Sequence, residues 1–236
     1  GYYDHHLAYL AHCWSQGEEQ YLKGLAGWSE NVKPYVRNKF LRNPRYLIDN
    51  PSSREHILLE KAKYKDYMIE NYDQGFTECY YDGNLLRNRM DNELFHESVP
   101  VILQEDDANA MYFSVENRSP FLDKDLYLFC KKLPSNYLIQ NGLAKSLLRD
   151  SVQGVVEEDI RSNPRKVGFN TSIDDFIDWS DNKTLEELRN DDSPIYELVD
   201  YSKIKYLFET CEKRSNSDSK FLFSLISTKI FLEEFV

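Results

Sequence analysis

The chain has 236 residues, 41% of them hydrophobic and 29% charged, with a formal net charge of -11. That length and apolar content allow a buried core for one generous domain or two small ones. The acidic balance repels nucleic-acid phosphates and anionic lipid, no apolar run approaches a membrane span and no secretory leader is visible, so the expectation is a soluble cytoplasmic protein without nucleic-acid or membrane partners.

The opening "GYYDHHLAYL" has no initiator Met and is already in helical spacing, so the sequence reads as a piece of something longer. Leu7, Leu10, Ala11 and Trp14 predict a helix over 5–14, whose apolar face is expected to be exposed. Asp4, His5, His6 and His12 crowd this helix. Adjacent histidines point in different directions and His5 and His12 are two turns apart, so the group reads as a polar helix start, with Asp4 favoured by the dipole, and no metal site is expected. A second helix is expected over 18–28, weakened by Gly24 and Gly27. Two short turns broken at Pro44 follow over 34–49. Ser52 and Glu55 make a capping-box pair ahead of a long helix through Ile57, Leu58, Ala62, Tyr64 and Met68. Residues 72–83 read as a loop.

A polar amphipathic helix is predicted over 84–98, then one entered at Pro100 and running to about Phe113. Further helices are expected over 122–132, 143–152, 157–161, 173–179, 184–189, 202–213 and 219–235, with Thr184 and Glu187 as a second capping box. "NPRKVGFNTS", 163–172, is a loop. Strand signals are confined to the neighbourhood of Tyr80 and to 137–140. The fold class is therefore mainly α.

Cys13, Cys79, Cys130 and Cys211 show neither zinc nor CxxC spacing and read as buried, reduced thiols. The nine glycines form no GxGxxG or GxxxxGK[ST] loop, so this chain alone has nothing to cradle a triphosphate and is expected to bind ATP weakly or not at all. "SVENRSPFLDKDL", 114–126, sets Glu116 and Arg118 among apolar residues, where charges are paired or functional. Lys145 and Arg149 lie one helical turn apart and read as a solvated basic face.

Residues 105–134, "EDDANAMYFSVENRSPFLDKDLYLFCKKLP", closely resemble the synthetase domain of glutamine-dependent asparagine synthetases. Asp107, Met111, Glu116, Arg118, Pro120, Phe121, Leu122 and Asp123 fall on that family's signature. "GLAKSLLRDSVQGVVEEDIRSNPRKVGFNTSI" is similar to its lysine-Leu-Leu-Arg helix and Ile-x-x-Arg-x-Lys-x-Gly-Phe loop, and "GYYDHH" looks like the end of its Gly-Asp-Gly-x-Asp-Glu segment. Ala108 and Ala110 depart from the usual Arg and Ser.

The resemblance, which runs over the whole of 1–236, implies the helical C-terminal portion of an adenine-nucleotide α-hydrolase-like (PP-loop) α/β domain, most of whose parallel sheet lies upstream. It implies a ligase that adenylylates aspartate with ATP and Mg2+, then displaces AMP with glutamine-derived ammonia. The nucleotide loop, the magnesium carboxylates and the glutaminase domain with its cysteine nucleophile would precede Gly1, and the isolated piece is expected to be inactive. Lys166, Glu116 and Tyr2 would be catalytic, and Arg118 and Asp107 would bind substrate. The resemblance leaves room for a homodimer. It also leaves open another carboxylate acceptor, such as a sugar uronic acid in surface polysaccharide synthesis, or a non-catalytic helical module.

Overall fold

Leu7, Ala8 and Leu10 recur at helical spacing, and in the computed structural model they are sealed inside the protein by the elements that follow them. The structure describes residues 3–57, 61–71, 75–165, 171–209 and 214–235. Helices in chain order are α1 (Tyr3–Ser15), α2 (Glu18–Asn31), α3 (Tyr46–Asp49), α4 (Lys61–Tyr67), α5 (Leu85–Phe95), α6 (Ser98–Tyr112) and α7 (Lys124–Lys132). A hairpin of β1 (Ile139–Gln140) and β2 (Leu143–Ala144) precedes α8 (Ser146–Ser151), α9 (Glu158–Arg161), α10 (Asn182–Arg189), α11 (Tyr201–Ile204) and α12 (Asn216–Phe235). The architecture is thus mainly helical, and the hairpin is the one sheet among the described residues. No helix of the described residues is long and apolar enough to cross a membrane.

The chain divides into two compact units, Gly1–His56 with Thr77–Lys166, and Ile57–Phe76 with Val167–Val236. In the first, α1 packs against α2, α3 and α5, and Leu7, Leu10, Trp28, Leu47, Leu86 and Ile139 form its core. At 25 cal/mol per Å2 of apolar surface removed from water, each fully buried Leu contributes roughly 1.5–3 kcal/mol. The apolar face of α1 is therefore covered by its own unit, contrary to expectation. The exposed apolar surface lies instead on α6, none of whose residues is buried, and on the segments after it: Val101, Ile102, Tyr112, Phe113, Phe121 and Phe129 are all open to solvent.

The hairpin is built by Asn141-Gly142, both at positive φ (49° and 74°). That is the dipeptide preference of the two-residue turn whose twist matches paired strands. The pairing takes Leu143 and Ala144 out of the helix expected from 143, leaving α8 to start at Ser146. The hairpin seats on α2 at Gly27. A Cβ added there would lie 2.6 Å from the carbonyl carbon of Asn141 and 2.7 Å from the nitrogen of Gly142. Asn31 Nδ2 donates to the Asn141 carbonyl at 2.9 Å and ties the two together. Gly27 thus weakens a helix in order to admit a neighbouring backbone.

In the second unit, Tyr64, Ile173, Leu188, Ile204, Leu222 and Leu225 are core residues. The end of α4 is tied to 198–200 by main-chain bonds, Ile69 N to Leu198 O at 3.0 Å and Asp200 N to Tyr67 O at 2.8 Å. Asp218, near the start of α12, accepts from Lys63 (2.7 Å) and Tyr64 (3.0 Å). Burial alone would raise its pKa, but these bonds and one from Ser215 hold it below the usual carboxylate value.

Several local expectations are corrected. Ser52 starts no helix; its hydroxyl donates to Asn50, and the described helix begins at Lys61. Thr184 is not a cap: Asp181 accepts from Lys183 N and Thr184 N and caps α10. The helix expected over 173–179 is a single 3-10 turn, Ile173–Asp175, closed by a capping box on Ser172. No strand forms near Tyr80 among the described residues. Cys13 is buried and Cys130 half-buried, but Cys79 is exposed; Cys211 lies outside the described residues. His5 and His6 are buried rather than part of a solvated helix start.

Candidate functional site

The signature starts on α6, which carries Asp107 and Met111, and its second part begins where α6 stops. Val115 N bonds to Ala110 O (3.0 Å) and Ser114 N to Met111 O (2.9 Å). Ser114 sits between them at φ 56°. These paired bonds around a left-handed residue are the Schellman ending, with serine at the position glycine prefers. The chain leaves this cap as neither helix nor strand, and Glu116 and Arg118 lie on it two residues apart. Arg118 Nη2 donates to Glu116 Oε2 at 3.0 Å. Their side chains are 70% and 81% exposed, so the pair is solvated rather than desolvated. A 3-10 turn over Pro120–Leu122 follows, and Asp123 then caps α7 by accepting from Leu126 N at 2.9 Å. The final Asp of the signature is thus a helix-start residue in this chain.

Asp107 is exposed on α6. Lys166 and Tyr2 lie outside the described residues. Of the five residues singled out from sequence, the structure therefore brings together Glu116 and Arg118. Immediately before Lys166, Arg165 stacks over the Tyr35 ring at 5.6 Å and its N–H bonds to Asn163 Oδ1 at 2.9 Å.

The approach to this loop is held by a residue read differently from sequence. Arg149 does not join a solvated basic rim with Lys145. Its Nε donates to Ala144 O at 2.8 Å, Nη1 to Arg161 O, and Nη2 to Asn163 O at 3.0 Å. One planar guanidinium fastens the hairpin to 161–163, the stretch leading to Lys166. Partial burial and the nearby Arg161 push its pKa down, and among the described residues no carboxylate is paired with it. Nothing in a Lys-Ser-Leu-Leu-Arg stretch signals this, because the partners are main-chain oxygens. Arg161 is itself clamped by Glu158 through two bonds of 2.7 Å.

A cavity of about 600 Å3 in the second unit is lined by Asp174–Ser180, and its three carboxylates repel a triphosphate. Asp174 pairs with Arg214, which lies 3.9 Å over the Trp179 ring and so is not available to a phosphate.

The family model for asparagine synthase matches residues 31–233, and the chain belongs to that family. It is similar to asparagine synthetase [glutamine-hydrolyzing] 1 of Bacillus subtilis (strain 168), 37% identical over 89 residues. That stretch covers 38% of this chain and 13% of the relative's length. No solved structure matches.

Proposed function

We propose that the chain is the helical part of the PP-loop domain of an ATP-dependent amidotransferase of asparagine synthetase type, acting in the cytoplasm on aspartate with ammonia from a glutaminase domain. The observation that carries this reading is the family match over 31–233, which takes in both the signature and the lysine loop in order. In this reading ATP and Mg2+ are bound by a nucleotide loop and carboxylates that the family resemblance places upstream of the matched stretch, which spans 13% of the relative's length. The isolated chain is then inactive, and a homodimer of the whole protein is compatible with the reading.

Amide formation builds negative charge on the acyl oxygen. A fixed cation placed there lowers the barrier more than it stabilises the ground state. Lys166 is assigned that role. Glu116, whose charge Arg118 stabilises in the ion pair, would orient it together with the Tyr2 hydroxyl. Arg118 offers a planar fork for a substrate carboxylate, and Asp107 an acceptor for its ammonium group.

The test is pyrophosphate release and amide yield by the full-length enzyme with ATP and aspartate. Lys166→Ala is expected to lower amide formation by about 10²–10³-fold. Unchanged release and yield would leave an inert helical module. Ala108 and Ala110, which depart from the family pattern beside Asp107, favour testing a sugar uronic acid as second acceptor. Mass spectrometry of the amidated product distinguishes the two, and free asparagine excludes the sugar.

A further inference from the structure

The helix-start residues set aside as a polar cap converge with a residue of α5. Asp4 and His5 are each 5% exposed, and Glu93 has a side chain 15% exposed. One ligand-type atom from each lies within 4.8 Å of the other two. His5 Nε2 stands 3.1 Å from Glu93 Oε1. Two ligands on one tetrahedral ion with bonds near 2.0–2.1 Å are separated by about 3.3 Å, so this spacing suits a shared ion.

The surroundings are short of positive charge. Arg89 is buried between α5 and its neighbours, but its guanidinium is committed to Glu78 at 2.9 Å and Glu97 at 3.6 Å, and reaches Asp4 only at 3.7 Å. Arg54 pairs with Glu97. Asp4, Glu78 and Glu97 thus share these two guanidiniums while Glu93 faces His5, which makes four carboxylates against two guanidiniums before any imidazole is counted. Buried, uncompensated charge of that size is costly. A second observation points inward. His56 has a side chain 5% exposed, and its Nε2 has no hydrogen-bond partner while it faces Asp4 Oδ2 at 3.6 Å. Its other nitrogen is held by Tyr46 Oη at 3.4 Å.

We propose that Asp4, His5 and Glu93 bind one divalent transition-metal ion of the zinc class, pinning α1 to α5, with His56 beside Asp4. An imidazole nitrogen with two carboxylate oxygens is a mixed set that favours zinc or manganese over magnesium. Three protein ligands leave a position for water. The ion would supply the two missing positive charges, and its role would be to hold the fold. Helix periodicity could not show the site, because the third ligand comes from an element remote in sequence.

The test uses the purified protein, stripped by chelator and titrated with Zn2+ and separately with Mn2+ in a calorimeter, with thermal unfolding in parallel. One equivalent of Zn2+ is expected to bind and to raise the midpoint, as binding to the native state requires. His5→Ala is expected to weaken binding at least tenfold, and His12→Ala to leave it unchanged. Should His5→Ala fail to fold, Glu93→Gln, at a half-buried position, is the deciding variant and is expected to show the same loss. No heat and no midpoint shift with either ion, or binding that survives both His5→Ala and Glu93→Gln, overturns the proposal in favour of protonated histidines balancing the carboxylates.

Discussion

Replacing Gly27 by alanine separates helix propensity from packing. Intrinsic propensity favours alanine by about 1 kcal/mol in a helix interior. Against this, the new Cβ would lie 2.6 Å and 2.7 Å from main-chain atoms of Asn141 and Gly142, where ordinary contact is 3.4–4 Å. Backbone atoms cannot rotate aside, so the hairpin must move by nearly 1 Å. Overpacking of this kind costs about 1–3 kcal/mol, and the displaced Asn31–Asn141 hydrogen bond about 1 kcal/mol more. The net expectation is destabilisation by about 1–3 kcal/mol. Gly24 is the internal control: its added Cβ would meet Leu10 Cδ2 at 3.2 Å and Cys13 Sγ at 3.3 Å, both able to give way. Gly24→Ala should therefore be neutral or stabilising by less than about 1 kcal/mol. Urea unfolding followed by tryptophan fluorescence in a Trp179→Phe background reports the first unit, because Trp14 and Trp28 both belong to it. A Gly27→Ala midpoint equal to or above that of the parent would refute the close-approach argument.

Three further outcomes are expected. Ser114→Gly should raise the thermal midpoint by relieving a left-handed residue, a gain of up to about 1 kcal/mol; a lower midpoint would count against the cap geometry. Burial, the largest cause, pushes the His6 pKa from 6.5 down to about 4. The unfolded chain then binds a proton that the folded one does not between those values, so stability is full above about pH 6.5 and is lost as pH falls toward 4, by up to ~3 kcal/mol. Urea midpoints at pH 7.5 and 4.5 test this, and His6→Gln should flatten the slope; a parent whose midpoint does not change across that range contradicts the assignment. The exposed apolar surface of α6 and the segment after it should drive concentration-dependent association in light scattering, suppressed by the double change Phe113→Ser and Phe121→Ser; a mass constant with concentration argues otherwise.

Sequence periodicity located most helices because their cores are local: Leu7, Leu10 and Trp28 mark α1 and α2 directly, and Asn84 and Pro100 mark the starts of α5 and α6. It failed where a local signal competed with a distant partner. Leu143 and Ala144 look helical but pair with 139–140 through the Asn141-Gly142 turn, which helical spacing does not register. Ser52 and Thr184 have capping-box spacing, yet Thr184 lies inside α10, and Asp181, three residues earlier, accepts the free N–H groups at its start. The signature segment was legible as a motif, but solvent exposure of Glu116 and Arg118 was not, since neighbouring apolar residues imply burial only if something covers them. The convergence of Glu93 on Asp4 and His5, and the three carbonyls gathered by Arg149, depend on tertiary contacts that spacing does not encode.

The brace at Arg149 has an evolutionary consequence. It grips peptide oxygens, which every amino acid supplies, so positions 144, 161 and 163 are free to drift without loosening it. Position 149 has no such latitude: lysine's three N–H groups radiate from one nitrogen and cannot span the carbonyls of 144, 161 and 163 as the wide planar fork does, which would weaken the tie between the strand turn and the lead-in to the lysine loop. The hold on this part of the molecule is therefore concentrated in one side chain, whose acceptors do not depend on which residues supply them.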